Sequence, residues 1–230
     1  MFEQIYGESP YKSPTDMGVN MAGFCITDDE AVCEASRMEI LRRYYAAACS
    51  VRKGLSDKAE QTKIELLMNM LGLTVDDRPV VAASLRRAEE TGAPAAAIEL
   101  PDGHIVTGKT SSLLGATSAL LLDALKYLGG IPDEVHLIAR NVLEPVQDLK
   151  VNHLGNHNHR LHTNEVLLAL SICAATDPLA ETAMQQLEKL KGCEAHSTVI
   201  LSQADENTLR KLGINMTCEP VYQSKNLYHR

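Results

Sequence analysis

The stretch APAAAIELPDGHIVTGKTSSLLGATSALLLDALKYL, residues 93–128, decides the fold. Two short apolar runs, Ala95 to Leu100 and His104 to Thr107, lie on either side of Pro101-Asp102-Gly103. Proline presets φ for the second position of a turn and glycine accepts the positive φ that closes one, so the spacing predicts a β-hairpin. From Ser111 to Leu128 the pattern becomes a Leu- and Ala-rich helix closed by Gly129-Gly130. A hairpin followed at once by an apolar helix points to a layered α/β domain.

Upstream the period is helical. Asp28 or Asp29 can cap a helix in which Val32, Ala35, Met38, Leu41 and Tyr45 recur at helical spacing, and Gly54 is placed to end it. A second helix is expected over about 57–71, with Ile64, Leu67, Met68 and Leu71 on one face and Gly72 after it, and a third from Pro79 to Gly92. Residues 7–23 (GESPYKSPTDMGVNMAG) read as a long connection. Downstream, the pattern predicts a strand at Val135–Ala139, a helix at about 142–149, a His-rich loop over 152–162 and a helix capped by Thr163. Asp177-Pro178 interrupts that helix, which ends at Gly192. A strand at Ser197–Leu201, a helix at about 205–212 and a strand at Ile214–Cys218 follow. Residues 135–153 superpose on 198–216 at a constant offset, either by duplication or because two α/β units share a generic build. The expected fold is therefore α/β: a loop and helical segment over 1–78, then a layered α/β domain over 79–230 with similar units at about 93–153 and 163–218.

Composition excludes several functions. The 22 basic residues are outnumbered by 30 acidic ones, and a net charge of −8 opposes the counterion release that drives nonspecific nucleic-acid binding. The uncharged apolar stretch Val166 to Thr176 is far shorter than the roughly 20 residues of a membrane span. The first residues lack the basic and apolar blocks of a signal peptide, so a cytoplasmic protein is expected, with no membrane or nucleic-acid partner. Six cysteines, scattered through apolar helical patterns, suit reduced thiols better than a disulfide framework.

Four strings, 7–23, 93–111, RLHTNEVLLALS (160–171) and GCEAHSTVILSQADENTLRKLGINMTCEPVYQSKNLYHR (192–230), closely resemble the domain of unknown function 1846 family, and the likeness runs through essentially the whole chain. The resemblance implies a bacterial protein about twice this length, of which this chain is the C-terminal half, with Met1 at a fragment boundary. The preceding half, which in that family carries a Gly-rich, phosphate-loop-like segment, is then the expected partner. The hairpin LPDGHIVTG also resembles the opening of cytidine-deaminase-like domains, which implies that topology. The helix 111–128 lacks His-Ala-Glu or Cys-Ala-Glu and no Pro-Cys-x-x-Cys follows, so the zinc site of that family is not expected.

Several constellations can carry chemistry. Gly108-Lys109-Thr110-Ser111 joins a strand to a helix start, where backbone N–H groups and a lysine can hold a phosphate, although His104 stands where a phosphate loop has its first glycine. The alternative is a plain strand-to-helix turn. His153, His157, His159 and His162 cluster, but at no standard metal spacing, and a solvated loop is expected rather than a metal site. Arg160 and His162, ahead of a helix, form a better ligand-facing pair. Cys193, His196 and Cys218 are excluded as a joint metal site, because parallel strands at 197–201 and 214–218 would set them at opposite edges, roughly 17 Å apart. The carboxyl ends of those strands gather Ser202, Gln203, Asp205, Thr217, Cys218 and Glu219, with Arg140 and Asn141 from the earlier unit; the competing reading makes Asp205 a helix cap. Lys12 lies in the long connection, which either covers a site built by the other half or simply joins two parts of the fold.

Two functions follow. In the first the chain is part of an enzyme, holding a phosphate-bearing or nucleotide ligand through Lys12, Lys109, Thr110, Ser111, Arg140, Asn141, Arg160 and Ser202, with His162 or Asp205 as acid or base. No cofactor is indicated. In the second it is a structural, homo-oligomerising domain, which would use Leu121, Leu122, Leu125 and Leu128 and the tail from Tyr222 to Arg230.

Overall fold

A computed structural model describes residues 28–223. Helix α1 spans Asp29–Arg52 and α2 spans Lys58–Leu71. Each starts under an aspartate: the Asp28 carboxylate accepts the Ala31 N–H at 2.9 Å and Asp57 accepts that of Ala59 at 2.9 Å. Helix α3, Pro79–Thr91, has proline in its first turn, and Gly92 (φ 62°) reverses the chain into the sheet.

Strands β1 (Ala95–Glu99) and β2 (Ile105–Lys109) form the hairpin expected from residues 93–111. Helix α4, Ala116–Leu128, follows, then α5 (Arg140–Asp148), which runs into a π-helical turn over Leu149–His153. After α6 (Thr163–Cys173) and α7 (Pro178–Met184) come β3 (Glu194–Ser197), α8 (Gln203–Lys211) and β4 (Asn215–Cys218). The sheet order is β2-β1-β3-β4, with β1 antiparallel to both neighbours and β3 parallel to β4 across α8.

The sheet is covered on both faces. Alternation along β1 sends Ala96 and Ile98 into the main core with α4, α6 and α8, and sends Ala97 to the opposite face with Val80 and Ala83 of α3. Small residues let the helices come close: a Cβ on Gly108 of β2 would stand 2.3 Å from the backbone nitrogen of Leu120 in α4. Helix α1 lies on the α3 side, where Tyr45 packs against the His196 ring of β3 at 4.7 Å between centroids. The result is a mixed α/β fold.

Four expectations change. No strand forms at Val135–Ala139: Leu137 and Ile138 are buried, but the segment turns after Pro132 and has no strand to pair with, and Ala139 caps α5. The two supposed units therefore share only the helices at 140–148 and 203–211. Helix α4 starts at Ala116 rather than Ser111, because the Ser111 hydroxyl takes the N–H groups of Leu113 and Leu114 at 3.2 and 3.0 Å in a local turn. The third strand forms at 194–197, not 197–201; beyond it the Ser197 hydroxyl donates to Val199 O at 2.9 Å and the chain bends toward α8. Finally, Leu121, Leu122 and Leu125 are buried in the core, so this helix offers no free oligomerisation face. No described helix is long and apolar enough to cross a membrane, and the five described cysteines are all free.

Candidate functional site

Backbone pairing brings three helix starts together. Leu161, fully buried, donates its N–H to Leu113 O at 2.8 Å, while its carbonyl accepts the Gly115 N–H and the Ser118 hydroxyl at 3.3 and 2.9 Å. This bridge lays the start of α6 beside the start of α4. The start of α8 reaches the same place through Asp205. A cavity of about 220 Å³ opens between them, walled by Gly115 to Thr117 of α4, His162 before α6, and Ser202 and Asp205 of α8, with Thr110 and Arg160 on its polar side. At α4 the first N–H groups lack intrahelical acceptors and the helix dipole adds partial positive charge, so that wall favours a negatively charged group, whereas the starts of α6 and α8 are already capped by Asp205 and Ser202.

The chemistry centres on one carboxylate. Asp205 is buried, and both its oxygens are filled by donors. Oδ1 accepts the Thr163 N–H at 2.8 Å and the Thr163 hydroxyl at 3.0 Å; Oδ2 accepts His162 Nδ1 at 2.8 Å and the Ser202 hydroxyl at 2.8 Å. Burial by itself pushes the carboxyl up, but the bond and charge of His162, with the donations from Thr163 and Ser202, outweigh it and hold Asp205 below the usual carboxylate range. An ionised carboxylate accepts only, so the proton on that side of His162 belongs to Nδ1. That leaves Nε2 as the nitrogen that can exchange a proton, and Asn158 Nδ2 stands 3.4 Å from it. Ser202 is not arranged as a nucleophile. Its oxygen is near Nδ1 (3.2 Å), the same nitrogen that Asp205 holds, its hydrogen goes to Asp205, and it caps α8 by accepting the Asp205 N–H at 3.2 Å.

A second layer fixes the histidine. Glu165 Oε2 accepts the backbone N–H of His162 at 2.7 Å and the ammonium of Lys150 at 2.8 Å. Lys150, buried in the π-helical turn, also donates to Arg160 O at 2.6 Å, and Arg160 Nε donates to Ser111 O at 2.9 Å.

His162, Asp205, Arg160, Ser202 and Thr110 thus line one cavity. Lys109 is exposed at the end of β2 and outside that lining, and Gly108 serves helix packing rather than a phosphate turn. Ser111 and Arg140 line a separate cavity of about 560 Å³, where Arg140 pairs with Glu144 at 2.9 Å. Asn141 is exposed and lines neither. Lys12 lies outside the described residues, as does the tail beyond 223. The cap of α8 is Ser202, which frees Asp205 to reach across to α6. Thr163, expected as the cap of α6, is its first residue, and the cap is His162; Lys150 is the part that sequence reasoning did not single out.

The expected separation of His196 from Cys218 does not hold, because β3 starts earlier and Ser197 stands opposite Cys218 in register. His196 is instead a buried structural ring, bonded to Thr217 Oγ1 at 2.8 Å and Glu219 Oε1 at 3.2 Å. Burial pushes the Cys218 thiol up to about 12 and that of Cys49, which donates to Cys218 O at 3.3 Å, up to about 11, so neither is an activated nucleophile. Among the described residues no group of three or more His, Cys, Asp or Glu side chains is placed to hold a metal ion.

Comparison with known families gives two adjoining matches. Residues 1–72 match the domain of unknown function DUF1846, N-terminal, and residues 76–228 match its C-terminal counterpart. The protein named UPF0371 protein stu1377 of Streptococcus thermophilus is 55% identical over 230 residues, covering 100% of this chain and 47% of its own length. A UPF0371 protein of Streptococcus pyogenes is 54% identical over 229 residues and 46% of its length, and one of Streptococcus pneumoniae is 55% identical over 230 residues and 47% of its length. The chain spans about half the length of the curated relatives it matches.

Proposed function

Since this chain belongs to the DUF1846 family and contains matches to both of its domains, we propose that it forms one wall of a site for a small anionic ligand and moves a proton there. The ligand carries a phosphate or carboxylate, as a nucleotide or sugar phosphate does. Its anion sits at the start of α4 with Thr110 and Arg160, and His162 exchanges the proton through Nε2 while Asp205 holds the ring. One observation carries this reading: His162 and Asp205, far apart in sequence, meet at 2.8 Å beside a cavity bounded by three helix starts. The rest of the family's chain completes the enclosure, and free thiols support a reducing, cytoplasmic setting.

A panel of inorganic phosphate, nucleotides and sugar phosphates tests it by thermal shift on the full-length protein. A ligand at 100 times its Kd stabilises by about 2.7 kcal/mol, a rise of several degrees. The shift should vanish in Arg160→Ala and any turnover in His162→Asn. A flat response to every member of the panel sinks the proposal.

A second reading, a structural and homo-oligomeric role, is favoured by exposed Leu168, Ile172 and Leu179 on α6 and α7. Sedimentation as a monomer would remove it. The sheet order, with β1 antiparallel to both neighbours, supports a deaminase-like topology, and the unformed strand at 135–139 counts against a full match.

A further inference from the structure

Helix α2 is apolar on two sides. Met68 joins Ile40, Leu41 and Leu73 in a small core between α1 and α2, with Ile64 packed against it. Leu66 and Met70, one turn apart, lie on a different face and are 58% and 83% exposed. Leu67 and Leu71 beside them are exposed too. A surface helix carries one apolar stripe; a helix that is apolar around most of its circumference belongs to an interior. Single exposed leucines are ordinary, but four large apolar side chains exposed on one 14-residue helix form a patch.

The family matches bear on what covers it. The N-terminal match ends at residue 72, so the α1–α2 pair belongs to the family's N-terminal domain. Of that domain's described residues, only Ile40, Leu41 and Met68 join the small core between the two helices, which Leu73 closes from beyond the match. The curated relatives are about twice as long as this chain. A segment on the same polypeptide meets this face at high effective concentration, which favours it over a second copy. We propose that the Leu66–Met70 face of α2 is the docking surface for the half of the full-length family chain outside this span, and that its apolar side chains complete the N-terminal domain's core.

The test uses the full-length Streptococcus thermophilus relative. The photoreactive amino acid p-benzoylphenylalanine is placed at the position aligned with Met70 and, separately, Leu66, and irradiated samples are mapped by mass spectrometry. Both positions should cross-link, within one molecule, to peptides outside the span matched here. Cross-links to the segment aligned with residues 1–27, cross-links between isotopically distinct copies, or no cross-link from either position would each overturn the proposal. To guard against misfolding, a cysteine placed at the position aligned with Met70 in the same full-length protein is labelled with a maleimide, and labelling at that site is followed by mass spectrometry. Labelling should be at least about tenfold slower in the native protein than in urea, and equal rates would overturn the proposal.

Discussion

Asp205 concentrates much of what a single residue can do in this molecule. It anchors His162, both donor groups of Thr163 and the Ser202 hydroxyl at once. Asp205→Asn replaces one acceptor oxygen with a donor facing two other donors, so we expect a loss of about 3 kcal/mol in urea unfolding. Because its folded pKa lies below the unfolded value, its stabilisation is present above about pH 4 and lost as pH falls through the folded value. His196 acts earlier on the same acid limb. Burial, helped by Arg78, lowers its pKa against the opposing pull of Glu219. A histidine kept neutral in the fold gives stability that is present above the unfolded value near pH 6.5 and declines as pH falls below it. The midpoint of thermal unfolding should therefore drop between about pH 7 and 5, and His196→Gln should flatten that drop. An unchanged slope would assign it to other groups. Both members of the His162–Asp205 pair were legible in the sequence, because each stands at the polar start of a helix pattern. Lys150 was not, since nothing local tells a buried lysine from the solvated ones around it.

Helices announce themselves through their ends, and here the ends were readable: Asp28, Asp57, Gly72, Pro79 and Gly92 stand where the structure uses them. Caps are local interactions, so local sequence carries them. The third strand was misplaced because the β-rich string Thr198 to Leu201 outweighs Glu194 by propensity. Glu194 is held in a strand by partners distant in the chain, the guanidinium of Arg78 and the ladder to Asn215. Two substitutions probe elements directly. Gly108→Ala puts a methyl group into the backbone of α4, and we expect a loss of about 3 kcal/mol, with α4 and β2 exchanging amide hydrogens faster. Ser202→Ala removes the cap of α8 and one donor to Asp205. It should cost about 1–2 kcal/mol in chemical denaturation and lower any turnover less than tenfold, as befits a cap and not a nucleophile. Loss of all turnover would restore the nucleophile reading.

Over the whole molecule, one buried cation ties the parts together. Arg78 is fully buried; it pairs with Glu194 and donates to the carbonyls of Ala195 and Asn215, each at 2.8 Å, while Glu194 also pairs with Arg42 of α1. Arg78→Met takes one of its two cations from Glu194 and a donor from each of two carbonyls, so a loss of about 3 kcal/mol in denaturant unfolding is expected, with Arg78→Lys failing to restore it. A loss under about 1 kcal/mol would mean that the cluster is neutral to stability. The position of β1 between β2 and β3 sets a different constraint, on time. Its first partner is the next strand in the chain, but its second, paired through Ala96 and Ser197, arrives about a hundred residues later. During synthesis the hairpin must wait with one edge of β1 unsatisfied while α4 to α7 are made, and closing so long a loop is slow. Ribosome-bound chains stopped before residue 194 should thus be the sticky ones, held by chaperones until β3 emerges and seals the sheet.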